Sequence, residues 1–132
     1  MPVYVTDTHP LLYYATNTKR QMSPKAWKAF EAASRAEALI HIPAVALWEA
    51  CNIIKSGKVT LSEPFGRWVD RLTNQRGFNI EPLDFTGVME VNDSPLRDPY
   101  DAAIAGAARL LELPLITRDA KITGSGWVEI YW

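Results

Sequence analysis

The sequence contains little of the chemistry that builds covalent cross-links or soft-metal sites. Only one of its 132 residues is cysteine, Cys51, and only two are histidine. A single cysteine excludes an internal disulfide and a multi-cysteine zinc centre, and the apolar neighbours of Cys51 indicate a buried thiol rather than a nucleophile. One histidine beside a proline, His9, is a weak metal signal without a second histidine near it, and we interpret it as structural.

Long hydrophobic runs and a strong net charge are also missing. No apolar stretch approaches the roughly 20 residues that a membrane helix needs, and the segment MPVYVTDTHP has neither the basic region nor the apolar core of a signal peptide. The formal net charge of −1 gives no general nucleic-acid signature. With 48% hydrophobic and 22% charged residues the chain is typical of one globular domain, residues 1–132, and we expect a cytoplasmic protein without a membrane partner.

Strand-like and helix-like segments alternate along the chain. Short β-branched and apolar runs predict strands, whereas apolar residues spaced by three and four behind a cap residue and a proline predict helices. This alternation predicts an α/β fold with a central, mostly parallel sheet that is covered on both faces. The predicted strands are 3–6, 38–42, 77–83, 113–117 and 128–131, and the predicted helices are 10–15, 24–34, 44–55, 62–73, 84–91 and 99–111.

Four carboxylates lie at positions that suggest a ligand site. Asp7 follows the first predicted strand and Asp119 follows the fourth, and ligands in open α/β sheets bind at the carboxyl ends of strands. Asp101 begins the inward-facing stripe of the helix that starts at Asp98-Pro99. Glu49 is the only charge in the body of a helix that is apolar nearly all round, a pattern that indicates a buried helix in which a lone charge is costly.

Each carboxylate also has a purely structural interpretation. Asp7 and Asp119 could be helix caps or turn residues, Asp101 could complete a capping box with Asp98, and Glu49 could pair with an arginine. If the four side chains converge, however, two like charges about 4 Å apart cost roughly 4 kcal/mol at an effective dielectric of 20, so the cluster requires cations. All-oxygen ligands favour Mg²⁺ or Mn²⁺, which bind phosphates and activate water in nucleases.

Four segments taken together resemble the PIN-domain ribonucleases, and among them the VapC-type toxins of bacterial toxin–antitoxin pairs. They are Val5–Leu12 (VTDTHPLL), Leu47–Glu49 (LWE, followed by Gly57-Lys58), Arg97–Asp101 (RDPYD) and Leu113–Asp119 (LPLITRD). The resemblance covers essentially the whole chain. It implies a single PIN domain with a three-layer α/β/α sandwich, in which the metal-binding and catalytic acids are Asp7, Glu49, Asp101 and Asp119.

The same resemblance implies a Mg²⁺- or Mn²⁺-dependent endoribonuclease that hydrolyses RNA and forms a homodimer, with a small antitoxin protein that covers its active site. Relatives often carry a basic residue directly after the third acid, where this chain has Ala102. Phosphate contacts would then fall to residues that could equally be solvated loop charges: Arg97, Arg118 and Lys121. We expect the dimer to use part of an aromatic set on the early helices, with the antitoxin docking nearby: Tyr13, Tyr14, Trp27 and Phe30.

Two other functions stay open from the sequence. A strand-end Asp7 could serve a phosphoryl-transfer or receiver-like domain, although no second acid follows it two residues on and Glu49 would be unexplained. Alternatively, a PIN-like fold could be an interaction module without nuclease activity, but such a module has no use for a repulsive set of acids. Metal-dependent RNA cleavage by the purified protein would distinguish the nuclease hypothesis from these two alternatives.

Overall fold

The alternating pattern forms a five-stranded sheet in which every neighbouring pair of strands is parallel, in the order β3-β2-β1-β4-β5. The computed structural model describes residues 1–132. Its strands are β1 Val3–Thr6, β2 Leu39–Pro43, β3 Phe78–Glu81, β4 Leu115–Ile116 and β5 Ile130–Tyr131. Its helices are α1 Thr8–Ala15, α2 Pro24–Ser34, α3 Ala44–Lys55, α4 Phe65–Thr73, α5 Phe85–Asp93, α6 Pro99–Leu111 and α7 Ala120–Ser125, with a 3-10 turn at Lys19–Gln21.

Helices cover both faces of the sheet because successive strand residues point to opposite sides. Tyr4 and Ile116 belong to one apolar core, which also contains residues of α1, α2 and α4. Val5 and Leu115, their neighbours in the chain, belong to a second core with residues of α6 and α7. This arrangement confirms the predicted three-layer α/β/α sandwich. None of the helices has the length and apolar character that crossing a bilayer requires.

The strand order reverses between β1 and β4, which places a crevice at the carboxyl ends of these two strands. Val5 pairs with Leu115 and Thr6 pairs with Ile116, so the next residues, Asp7 and Thr117, emerge side by side. Such switch points are where open α/β sheets bind ligands. The strand order also differs from the 2-1-3-4-5 order of receiver-like domains. The fold therefore does not support the alternative of a receiver-like domain that uses Asp7.

Several local predictions are wrong in instructive ways. Helix α7 was not predicted, because its six residues include Gly124 and the segment is typical of a turn. Helix α3 has the predicted bounds but is not buried all round, because Trp48 is 61% exposed and Asn52 also faces solvent. Of the four aromatic residues from which a dimer interface was expected to draw, Trp27 and Phe30 lie in the protein's own core, whereas Tyr13 and Tyr14 are half-buried and the dimer stays a prediction. Burial against α1 and the sheet accounts for these two rings.

Candidate active site

Asp7 is the most buried of the predicted acids, at 5% exposure, and it caps α1 directly after β1. Its Oδ1 accepts a hydrogen bond from the Thr8 backbone N–H at 2.7 Å, and its Oδ2 accepts one from the Thr117 hydroxyl at 2.7 Å. Burial raises the pKa of the Asp7 carboxyl, and the two hydrogen bonds oppose that rise because they stabilise the charged form. The nearby charge of Asp119 raises it further.

Glu49 reaches the same place from α3. Its Oε1 accepts a hydrogen bond from the Thr8 hydroxyl at 2.5 Å. Burial raises the pKa of the Glu49 carboxyl, the bond from Thr8 lowers it, and the charge of Asp7 raises it. No ion pair involves Glu49, so the alternative of a structural salt bridge to arginine does not hold.

Asp119 joins the group through a second threonine. Its backbone N–H donates to the Thr117 hydroxyl at 3.0 Å, while its own carboxylate caps α7 by accepting from the N–H groups of Lys121 and Ile122, both at 2.9 Å. Thr8 and Thr117 are completely buried. Thr8 therefore joins Glu49 to Asp7 through its hydroxyl and its backbone N–H, and the Thr117 hydroxyl joins the Asp7 carboxylate to the backbone of Asp119. We call this series of contacts the hydroxyl-bridged acid chain.

Asp101 lies across the crevice, in the first turn of α6. Asp98 caps that helix by accepting from the Asp101 backbone N–H at 3.0 Å, as predicted. The Asp101 carboxylate makes no reciprocal bond to Asp98, so it is not part of a capping box. The pKa of Asp101 is raised to about 7, first by burial and then by the charges of four acids: Asp98, Asp119, Asp7 and Glu49.

The four predicted acids are thus electrostatic neighbours, and Asp98 is a fifth acid at the site. No three of the acidic or histidine side chains already form a metal cage. Carboxylates that are spaced more widely than in a closed cage suit a hard divalent ion. Mg²⁺ usually keeps several waters and takes only one or two protein carboxylates together with substrate phosphates. The donor chemistry and the mutual repulsion felt at Asp101 therefore fit such an ion, although the carboxylates do not form an enclosed all-protein cage.

Two openings reach three of the four predicted acids, and Glu49 lines neither of them. A cavity of about 170 Å³ is lined by Asp7, Thr117, Asp119, His9, Pro10, Tyr13 and Arg118. A wider groove of about 600 Å³ is lined on its polar side by Arg97, Asp98, Asp101 and Lys121. A separate cavity of about 240 Å³ lies between α3, α5 and α6 and includes none of the four predicted acids. A substrate could therefore reach the acids from two neighbouring sides.

The three predicted basic residues border these openings in different ways. Arg97 and Lys121 are exposed and line the wider groove. Arg118 borders the smaller cavity, but its guanidinium donates to the Tyr13 hydroxyl at 3.2 Å and to the Gln21 backbone and side-chain oxygens at 3.2 and 3.1 Å. Part of its donor capacity is therefore used to hold the rim of the cavity.

Sequence reasoning missed the two bridging threonines and gave His9 no part. His9 lies close enough to lower the pKa of both Asp7 and Glu49 and lines the smaller cavity. A signal was present, because Thr8 and Thr117 each stand at the carboxyl end of a strand beside or near a proposed acid. A hydroxyl that is fully buried at such a point needs a polar partner, and here the partners are carboxylates.

Comparison with known proteins gives a family and a fold. Residues 4–124 match the model of the PIN domain. The chain resembles VapBC2 from Rickettsia felis bound to a promoter DNA fragment, with a TM-score of 0.68, 14% identity and coverage of 97% of this chain and 96% of that one. It also resembles a toxin–antitoxin complex from Klebsiella pneumoniae, with a TM-score of 0.62, 23% identity and coverage of 96% and 99%.

At these sequence identities, the similarity to the two solved structures shows a shared fold. The search of curated proteins found no significant match. The family match covers nearly the entire chain, including all four predicted acids. It agrees with the sandwich and with the strand-end crevice described above. The chain belongs to the PIN domain family.

Proposed function

We propose that this protein is a Mg²⁺- or Mn²⁺-dependent endoribonuclease whose reactive centre is the strand-end acid site. The observation that carries the proposal is the hydroxyl-bridged acid chain, which holds Asp7 and its neighbours at the switch point of the sheet. Membership in the PIN domain family supports a nuclease-type hydrolase. RNA as the substrate, the identity of the metal and a cytoplasmic location are the finer parts of the proposal.

The proposed ligands of the metal are Asp7, Glu49, Asp101 and Asp119. A divalent ion bound there would make a water more acidic and stabilise charge on the leaving oxygen of the phosphodiester. Thr8 and Thr117 orient the carboxylates and favour their charged forms against the effect of burial. The arrangement requires no nucleophilic side chain, because the attacking group would be a water.

Phosphate contacts are proposed for the basic residues around the acids. Arg97 and Lys121 line the wider groove and are free to meet a phosphate group entering beside Asp101. Arg118 has remaining N–H donors that can face the smaller cavity while its other donors stay on Tyr13 and Gln21. Because the surrounding charge is acidic, these contacts would position the RNA rather than provide strong general affinity.

We propose further that the protein is the toxin of a toxin–antitoxin pair, since both solved structures above are toxin–antitoxin assemblies. A groove of about 370 Å³ between α1, α2 and α4 offers an antitoxin segment an apolar floor with charged edges. Its floor includes Leu11, Tyr14, Trp27 and Trp68, and its edges include Glu31, Arg35 and Arg71. Co-expression with the product of a small neighbouring gene should yield a complex with reduced RNA cleavage, and Trp68 fluorescence should change on binding.

A homodimer is also proposed, but through a different surface from the one expected from sequence. Four large apolar side chains on or just before α5 are exposed: Leu83, Phe85, Val88 and Met89, at 45%, 78%, 53% and 58%. We call this surface the α5 face. Contiguous exposed apolar area of this kind marks protein interfaces, and a second copy of the chain would cover it.

The experiment that tests the enzymatic proposal is cleavage of a single-stranded RNA by the purified protein. Cleavage should require Mg²⁺ or Mn²⁺, stop with a chelator, and be lost in Asp7→Asn. A matched control is Asp70→Asn, which makes the same change at an exposed aspartate of α4 and should cleave normally. Absence of metal-dependent cleavage in the folded wild type would favour the interaction-module alternative.

A further inference from the structure

An aromatic pair, formed by the exposed Trp48 and the half-buried Tyr100, joins α3 to α6 in the helical turns that carry Glu49 and Asp101, outside the two openings of the acid site. Trp48 directly precedes Glu49, and Tyr100 directly precedes Asp101. The two rings meet edge to face, with centroids 5.2 Å apart and planes at 81°. Trp48 nevertheless remains 61% exposed. The exposed part of the indole is therefore available to a partner.

The pair is held in place rather than loosely attached. Asn52, one helical turn after Trp48 on α3, donates from its side-chain amide to the Tyr100 hydroxyl at 2.5 Å. This bond spans the two helices and fixes the Tyr100 ring, while the edge-to-face contact restrains Trp48. The result is a preorganised aromatic surface, which loses little side-chain entropy when a planar group stacks on it.

The charge of the site makes such a surface useful for RNA. Five acids face the crevice, and the chain as a whole carries a net charge of −1. Phosphate attraction, the usual source of affinity for nucleic acids, is therefore limited to the bound cation and the few basic residues around the acids, such as Arg97 and Lys121. Bases offer a second source, because stacking on aromatic side chains contributes about 1–3 kcal/mol per base and tolerates any sequence.

We infer that the Trp48 indole, held in place by its edge-to-face contact with Tyr100, is a stacking platform for an unpaired base of the RNA substrate whose phosphate is held at the acid site. This inference rests on the proposed ribonuclease function. Because a base must leave its helical stack to lie on an aromatic ring, the platform selects single-stranded segments and loops over duplex RNA. Asn52 acts as a positioning residue through Tyr100.

Binding and cleavage of a short single-stranded RNA test the platform separately from the chemistry. In an Asp7→Asn background, where RNA is bound without being cut, Trp48→Ala should raise the Kd by at least about fivefold, the weak end of base–aromatic stacking. Trp48→Phe should restore most of the affinity. In the active protein, Trp48→Ala should raise KM by a similar factor and leave kcat largely unchanged.

Two further readouts identify what contacts Trp48. RNA should quench tryptophan emission in the Asp7→Asn protein, and this quenching should be lost in Asp7→Asn with Trp48→Phe. Equal RNA affinity with and without Trp48→Ala overturns the platform while leaving the ribonuclease proposal intact. A dimer that becomes monomeric on Trp48→Ala, with RNA affinity unchanged, assigns the indole to contact between copies and also overturns the platform. A wild type that neither binds nor cleaves RNA overturns both proposals.

Discussion

The strand-end acid site and the α5 face depart from an ordinary protein surface in opposite directions. At the acid site, burial raises the pKa of Asp7, Glu49 and Asp101. On the α5 face, Phe85 and Met89 are 78% and 58% exposed to water. Partly buried charge lowers the stability of the folded chain, whereas exposed apolar area leaves hydrophobic burial unused until a partner covers it. The comparison suggests that each region is completed by a partner of the opposite character, a cation in one case and an apolar protein surface in the other.

The two regions are also built by different means. The acid site depends on directional hydrogen bonds from buried hydroxyls, which fix individual oxygen atoms. The α5 face depends on close packing of α5 against α6 at Gly106, where an added Cβ would lie 3.2 Å from the Cβ of Glu90. A reactive centre needs atoms in fixed positions, whereas an interface needs area and shape. Substitutions should therefore affect the two regions in different measurements.

The largest expected effect is loss of cleavage in Asp101→Asn. The substitution keeps the side-chain volume, removes a charge that faces four other acids, and should raise the metal-free melting temperature while lowering cleavage by orders of magnitude. Asp98→Ala is the control, because it should cost about 0.5–2 kcal/mol as a lost cap yet retain appreciable cleavage. If Asp101→Asn cleaves normally and Asp98→Ala is folded but inactive, the ligand has been assigned to the wrong aspartate.

The corresponding change on the α5 face is Phe85→Asp. A charge at the most exposed aromatic side chain should convert the proposed dimer to a monomer, since the interface would have to bury it. Light scattering measures the change in molecular mass. Arg67→Asp, at an exposed position of α4, is a control that should stay dimeric. A wild-type monomer at high concentration would remove the proposed dimer altogether.

A smaller effect is expected when one bridge of the acid chain is removed. Thr117→Val keeps the side-chain shape but deletes the donor to Asp7 and the acceptor for the Asp119 N–H. The free energy of unfolding should fall by about 1–3 kcal/mol, the cost of leaving a buried polar group unpaired. Thr123→Val, at an exposed position of α7, should change it by less than about 0.5 kcal/mol. Equal melting curves for both variants would show that the bridge contributes nothing.

The smallest effect is a difference in pH dependence between the two regions. The folded-state pKa of Asp101, about 7, lies above its ordinary value of 3.8, so the folded protein binds more protons and loses stability as pH rises through that interval. Asp84, which caps α5, has the opposite pH dependence. Hydrogen bonds from Thr86 and Gly87 lower the pKa of its carboxyl, so its contribution to folding stability is lost as the pH falls. Metal-free Asp101→Asn should therefore lose less stability than wild type between pH 5 and about 7.5. An unchanged slope would argue against repulsion at the acid site.

Much of the fold could be predicted because its strongest signals are local. The β-branched run of β1, the caps at Ser23 and Asp98, and the long apolar pattern of α3 each specify an element without knowledge of its neighbours. β4 and β5 are only two residues long in the structure, because their pairing depends on the adjacent strand rather than on their own sequence. Helix α7 shows the same limit, since its six residues depend on the cap from Asp119.

The acids of the site could be proposed from sequence, but their connections could not. Strand ends and apolar surroundings pointed to Asp7, Asp119 and Glu49 one at a time. The bridges through Thr8 and Thr117 join residues 41 and 110 positions apart in the chain, and no periodic pattern encodes such contacts. The exposure of Trp48 was missed for a related reason, because apolar residues around a helix do not reveal which side lacks a covering neighbour.

Thermal melting with and without Mn²⁺, in wild type and Asp7→Asn, tests the central claim that the acids form one cation-dependent site. An ion that binds only to the folded state raises the melting temperature of the protein. We predict a clear increase for wild type and a much smaller one for Asp7→Asn, with Asp70→Asn responding like wild type. The quantity to compare is the change in melting temperature caused by Mn²⁺, because Asp7→Asn relieves repulsion but also removes one of the two acceptors for Thr8 and Thr117. An identical response to Mn²⁺ in wild type and Asp7→Asn would contradict the proposed site.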